Sequence, residues 1–254
     1  MSSYLLMAVI ALGMVAVLLA AVELGYRRGL HTRPDEQIVS HATAWEAALL
    51  GMLALLIGFT FAMAVTRFDR RRDLILDEAN AIESVSLRAQ YLDPPLDQRV
   101  KALLVPYLDA RIRYYHAGIK WKETMHNHEQ AMTLQRQLWD QVVQAVRARP
   151  DSESVAAFVE SADELIKAEK RRRASLDNHV PLPVFAVLLL VAATGMAATG
   201  YSCGLHRRRL PLGMILMPVL IVLVVALVFD LDYPRAGVIQ AGQGALLRLR
   251  QELS

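Results

Sequence analysis

The stretch from Trp45 to Leu92 constrains this chain more than any other, because it reads as one helix passing through two solvents. Its first half, WEAALLGMLALLIGFTFAMAVT, carries one charge, Glu46, followed by about twenty uncharged, mostly apolar residues. At 1.5 Å of rise per residue, such a run crosses a hydrocarbon core roughly 30 Å thick. Its second half, RFDRRRDLILDEANAIESVSLRAQYL, is charged yet keeps an apolar stripe at Ile75, Ala79, Ile82, Val85, Ala89 and Leu92. Steps of three and four give a helix with one buried face. No Pro or Gly separates the halves, and the breaker pair Pro94-Pro95 comes only afterwards. The spacing therefore predicts a membrane helix that continues, unbroken, into a water-soluble helical region.

Three further apolar spans surround this element: Tyr4–Leu24, Leu182–Gly204 and Leu212–Phe229, the last interrupted by Pro218. Gly25 to Ala44 reads as a short polar connection, with Trp45 at the membrane interface. Beyond the continuation of the second span, three more amphipathic patterns follow. One begins after Pro95 and should be kinked or divided by Pro106. A second begins after Asn127 and stops before Pro150. A third opens at the capping pair Asp151-Ser152. None shows strand alternation. The expected fold is all-α: a polytopic membrane protein with four transmembrane helices and a helical-bundle insert between the second and third. The corresponding divisions are residues 1–65 (helices 1 and 2), 66–179 (the insert), 180–230 (helices 3 and 4) and 231–254 (a C-terminal tail).

A hydrophobic content of 54% and a mean hydropathy of +0.29 agree with a membrane protein bearing one polar insert. The insert is nearly charge-balanced, with 19 Lys/Arg against 18 Asp/Glu between Thr66 and His179, which argues against nucleic acid as a partner. The single cysteine, Cys203, lies in an apolar span and reads as packing. Basic residues near the span ends number ten on the side shared by both termini and the insert: Arg67, Arg70, Arg71, Arg72, Lys167, Lys170–Arg173 and Arg235. Six lie on the other side: Arg27, Arg28, Arg33 and Arg207–Arg209. The excess predicts a multi-pass protein of a bacterial inner membrane with insert and termini in the cytoplasm.

Within the second span, Gly51, Ala54, Gly58 and Ala62 form a small-residue stripe suited to close helix packing. Ile57, Phe61 and Phe68 form an apolar row that either packs against lipid and neighbouring helices or lines an oligomer axis as a hydrophobic constriction. Gly200 and Gly204 make a GxxxG in the third span. Beyond the membrane, Asp69, Asp73 and Asp77 recur every four residues among Arg67, Arg70, Arg71 and Arg72, followed by Glu78 and Asn80. Such alternation reads as a solvated face of mixed ion pairs, or, around an oligomer axis, as a charged vestibule. Asn80 within a helix is expected to turn inward for a hydrogen bond. Asp230 and Asp232 end the fourth span and are expected to pair with the Arg67–Arg72 group; two carboxylates fall short of the six or more oxygens that calcium takes. His116, His126 and His128 read as surface histidines of a loop, since HNHE lacks zinc spacing. There is no phosphate-binding glycine loop, nucleophile elbow or Cys/His catalytic pattern, so no enzyme, cofactor or metal site is expected.

The segments GFTFAMAVTRFDRRR, DEANAI with LRA, and DLDYPRAGVI together resemble the bacterial bestrophin-like membrane proteins. The resemblance covers both membrane pairs and the first insert helix, while the middle of the insert is generic. True bestrophins are oligomeric anion channels whose pore neck is lined by apolar side chains of the second transmembrane helix. The resemblance therefore implies a homo-oligomer in the lipid bilayer, with ions as its cargo. A scaffold or signalling module whose insert binds a partner is the competing reading. A secondary transporter stands third, because no ionisable residue sits clearly at mid-membrane.

Overall fold

A computed structural model of the protein describes residues 3–116, 121–209, 211–233, 239 and 241–253. Among these, eight helices and no strands occur: α1 (Ser3–His31), α2 (Glu36–Ala89), α3 (Leu96–His116), α4 (Trp121–Ala148), α5 (Glu153–Asp177), α6 (Leu182–Leu205), α7 (Pro211–Asp232) and α8 (Gly244–Leu253). Four of them, α1, α2, α6 and α7, hold stretches long and apolar enough to cross a membrane. The chain divides into two compact units. The first comprises residues 1–67, 179–233 and 237–239, the second residues 68–178, 234–236 and 240–254.

The first unit contains α1, the apolar half of α2, α6 and α7. Leu18, Val22, Leu53, Leu188, Met196 and Val222 are among the residues that close its core. The tightest contact is between α1 and α6 and is made by glycine on both sides. A Cβ on Gly25 would lie 2.0 Å from the carbonyl oxygen of Ala197, and one on Gly200 2.0 Å from that of Val22. Gly29 and Gly204 face each other in the same way one turn on, so the two backbones touch along two turns. The GxxxG of α6 thus meets a second GxxxG, Gly25-Gly29 of α1, within one chain.

The second unit contains the polar half of α2 with α3, α4, α5 and α8. The expected stripe of α2 is its inner face: Ile75, Ala79, Ile82, Val85, Ala89 and Leu92 are all buried, against Leu104, Leu108, Leu138, Phe158 and Leu165. Ser152 caps α5, its hydroxyl accepting the Val155 N–H at 3.5 Å.

Several sequence expectations are corrected. α2 is continuous through Thr66–Arg70, as its lack of breakers implies, but it begins nine residues before Trp45, at Glu36. α1 likewise runs on to His31, so most of the supposed connection is helical and only the turn around Pro34 separates the two. Polar residues do not end a helix; a proline or an unpaired backbone does. Pro106 does not divide α3, whose flanking Leu104, Tyr107 and Leu108 are buried and hold the helix together. Pro218 does not interrupt α7. α4 starts at Trp121 rather than after Asn127, because buried Thr124 extends the stripe of Ala131 and Leu138 backward. His126 and His128 are therefore helical, not in a loop. Part of the stretch read as a tail forms α8, which buries Leu246 and Leu249 in the core of the second unit.

Candidate pore helix and its charged neighbours

α2 turns only one side toward its own unit. Leu53, Thr60 and Ala64, spaced by seven and four, are buried, and Leu50 stands 3.5 Å from where a Cβ on Gly195 of α6 would be. Leu50, Leu56 and Ile57 are partly buried against that core, and the opposite side of the apolar half is exposed. Gly51, Ala54, Gly58 and Ala62 are all exposed, and a Cβ on Gly51 or Gly58 would meet no atom within 4 Å. Leu55, Phe59 and Met63 are exposed beside them. The row Ile57, Phe61, Phe68 is uneven. Ile57 leans on the core of the first unit and Phe68 is half-buried, while Phe61 is 38% exposed. Among the described residues, the small-residue stripe thus packs against no helix of its own unit, whereas Gly200 and Gly204 are fully used against α1.

At the end of α7, Asp232 is completely buried and gathers three elements of the first unit. Its Oδ2 accepts the backbone N–H of Val180 at 2.8 Å. His179 donates from Nδ1 to the Asp232 carbonyl oxygen at 3.0 Å, with Oδ2 3.7 Å away. An Arg67 guanidinium nitrogen of α2 lies 4.0 Å from Oδ1. The His179 ring stacks on Tyr233 at 4.5 Å, and Tyr233 stacks on Phe229 at 4.1 Å. The carboxylate joins the entry of α6 to the exit of α7. Asp230 plays a related part, accepting the Ile239 N–H at 2.9 Å. Of the two acidic residues of DLDYP, Asp232 is removed from solvent altogether and Asp230 is partly buried. His179 and the aromatic stack were not singled out from sequence.

The polar half of α2 separates into faces. Asp73, Asp77 and Asn80 are exposed with Arg70 and Arg72, so Asn80 does not turn inward. Asp69, Arg72 and Asp73 line an open groove of about 440 Å³ with Gly242, Ala245 and Arg248. Glu78, one residue further round, is wholly buried. Arg111 of α3 donates from Nε to Glu78 at 2.5 Å and from its terminal nitrogens to Glu169 of α5 at 3.2 Å and the Tyr115 hydroxyl at 3.1 Å. Arg172 of α5 donates to the other Glu78 oxygen and lies 3.4 Å over the Tyr115 ring. Two carboxylates and two guanidiniums thus form a neutral buried cluster that ties three helices together.

Burial acts to raise the Glu78 carboxyl, but Arg111 and Arg172 together outweigh it and hold the group below the usual range. The same burial pushes the Tyr115 hydroxyl up to about 12. The His128 ring of α4 lies tilted 5.4 Å from that of Tyr114, with its Nε2 3.1 Å from Arg173, and burial lowers its affinity for a proton. The arrangement is structural chemistry: it fixes helices and offers no open carboxylate pair or nucleophile.

The sequence profile of the Bestrophin-like domain matches residues 10–246. Solved structures of single-site mutants of a bacterial bestrophin homologue from Klebsiella pneumoniae are similar in fold. One aligns with TM-score 0.71 at 12% identity, covering 97% of this chain and 96% of that one. Another aligns with TM-score 0.65 at 14% identity over 99% and 98% of the two chains. A mutant structure described only as a membrane protein aligns with TM-score 0.71 at 14% identity, over 96% and 95%. No curated protein matches the chain significantly in sequence.

Proposed function

Because the chain belongs to the Bestrophin-like domain family, we propose that it is a homo-oligomeric membrane protein whose copies surround an ion-conducting pore lined by α2. The observation that carries this reading is the open face of α2. Its small-residue stripe, with Gly51 and Gly58 meeting nothing within 4 Å among the described residues, is the surface that permits a close approach by a neighbouring helix. Lipid tolerates exposed Leu55 and Phe59 equally well, but it has no use for a flat glycine stripe beside them. With the stripe against the next subunit, Phe61 is free to face the axis; Ile57 and Phe68 lie on the same row, one turn before and two turns after it. Such a ring closes by dewetting without steric sealing. The charges Asp69, Arg70, Arg72, Asp73 and Asp77 line the continuation of that helix as a mixed vestibule. The ten-to-six distribution of basic residues supports a bacterial inner membrane location with the insert and both termini cytoplasmic.

Ion flux into liposomes, for wild type and Phe61→Ala at matched oligomer yield, tests the pore. Widening and wetting the ring raises basal conductance. Background flux from both proteins would end the pore reading and leave an oligomeric scaffold whose insert binds a partner.

A further inference from the structure

The end of the first unit at which α1 and α6 finish carries charge that a pore lined by α2 does not use. Arg27 and Arg28 close α1, Arg33 follows it, and Arg207, Arg208 and Arg209 follow α6; all six are exposed. Glu23, Asp35 and Glu36 are the acidic residues of the same region, so the excess is positive. The glycine contact holds the two ends together, because a Cβ on Gly204 would lie 2.3 Å from the Tyr26 carbonyl oxygen. Arg209 lies 4.6 Å over the Tyr26 ring and 3.5 Å from Glu23, which also takes the Nε of Arg27 at 2.8 Å. Among the described residues, Arg28, Arg33, Arg207 and Arg208 form no ion pair.

Complementing the C-terminus of α1 accounts for Arg28 in its last turn, but that effect fades beyond the turn and α6 has no basic residue in its own last turn. Arg207 adds an independent sign. It has φ 51°, the left-handed position after a helix, with its N–H bonded to the Gly204 carbonyl at 3.0 Å. Glycine occupies that position without strain; arginine does not. Arginine therefore stands where backbone geometry alone favours glycine. The apolar runs of α1 and α6 end beside these arginines, and Leu24, exposed one turn before Arg28, borders them on the side of the apolar run of α1. A guanidinium is matched to a phosphate by its paired donors.

We propose that Arg28, Arg207 and Arg208, with Arg27, Arg33 and Arg209 around them, bind the phosphodiester headgroup of anionic phospholipid in the adjoining leaflet. The occupant is a lipid rather than free phosphate, because exposed Leu24, on the apolar side of Arg27 and Arg28, suits an acyl chain.

The full chain in detergent, doped in turn with dioleoyl phosphatidylglycerol, dioleoyl phosphatidylcholine or inorganic phosphate, tests this by native mass spectrometry. Phosphatidylglycerol should bind tenfold or more tightly than phosphatidylcholine, and added salt should erode the preference. The triple substitution Arg28→Gln, Arg207→Gln and Arg208→Gln should abolish it, while Arg136→Gln with Arg147→Gln, exposed on α4, should not. Helical content and oligomer yield show that the triple variant is folded. Equal retention of the two lipids by wild type, a preference surviving in the folded triple variant, or displacement of phosphatidylglycerol by millimolar phosphate would each overturn the assignment. None of these outcomes bears on ion flux, so the pore reading stands or falls separately.

Discussion

Replacing Glu78 by Gln removes a carboxylate shared by Arg111 and Arg172 and leaves two buried guanidiniums with Glu169 alone. Removing one partner from such a cluster costs about 3–5 kcal/mol, mostly as the penalty of the stranded charge. The effect depends on pH with a definite sign. The Glu78 carboxyl titrates below its ordinary 4.5 in the fold. Its contribution is therefore fully present above that value and lost as pH falls through the lower folded value. Denaturant midpoints of wild type and Glu78→Gln should differ widely at neutral pH and converge in acid. Glu83→Gln, on the exposed side of the same helix, should barely move the midpoint at any pH. A shift for Glu83→Gln as large as that for Glu78→Gln would show that the cluster has no special weight. The position of this cluster was partly legible. Arg111 continues the buried series Leu104, Leu108 at a step of three, and Glu169 and Arg172 continue Ala162, Leu165 by four and three. A charge on an apolar stripe predicts a buried partner, but not which helix supplies it; with Arg70, Arg71 and Arg72 adjacent in sequence, Glu78 read instead as one of a solvated run.

The glycines of two helices separate packing inside a chain from packing between chains. Gly200→Ala would bring a methyl group against the Val22 backbone, where no side chain can yield, so α1 and α6 must part. Overpacking of this kind costs about 1–3 kcal/mol and should lower the thermal midpoint of the chain in any oligomeric state. Gly58→Ala meets open space in its own chain. It should leave the monomer unchanged, while Gly58→Leu weakens the oligomer seen by size-exclusion chromatography with light scattering. A monomer destabilised by Gly58→Ala, or an oligomer indifferent to Gly58→Leu, would remove the stripe of α2 from the subunit interface. At this scale the sequence announced helices well and their ends poorly. Hydropathy and period set where α2, α6 and α7 run, yet α1 and α2 extend through polar residues that carry no stop signal, and α4 starts before the place its strongest apolar pattern suggests. The GxxxG of α6 was visible, but a motif of small residues does not name its partner, and Gly25-Gly29 sits at the polar end of α1, where it looked like the beginning of a connection.

For the molecule as a whole, four apolar helices with an insert between the second and third follow from hydropathy alone, because burial in lipid selects whole segments rather than single contacts. α8 did not follow, since ten residues with four leucines make too weak a periodic signal to distinguish from a polar tail; the buried Leu246 and Leu249 supply its reason for being helical. Orientation rests on a different physical effect, the retention of arginine and lysine on the cytoplasmic face during insertion. An even number of spans puts the N-terminus, the insert and the C-terminus on one side, and that side has the larger number of basic residues near the membrane. Single cysteines in a Cys203→Ala background report it directly. Arg136→Cys, exposed on α4, should resist a membrane-impermeant maleimide in intact cells and react once the membrane is opened. Arg208→Cys, exposed in the turn after α6, should react from outside without permeabilisation. The reverse pattern would turn the protein over, and would mean that Arg27 and Arg28, which follow an uncharged first span, outweigh the more distant clusters. Labelling of both positions from outside would break the four-span parity itself.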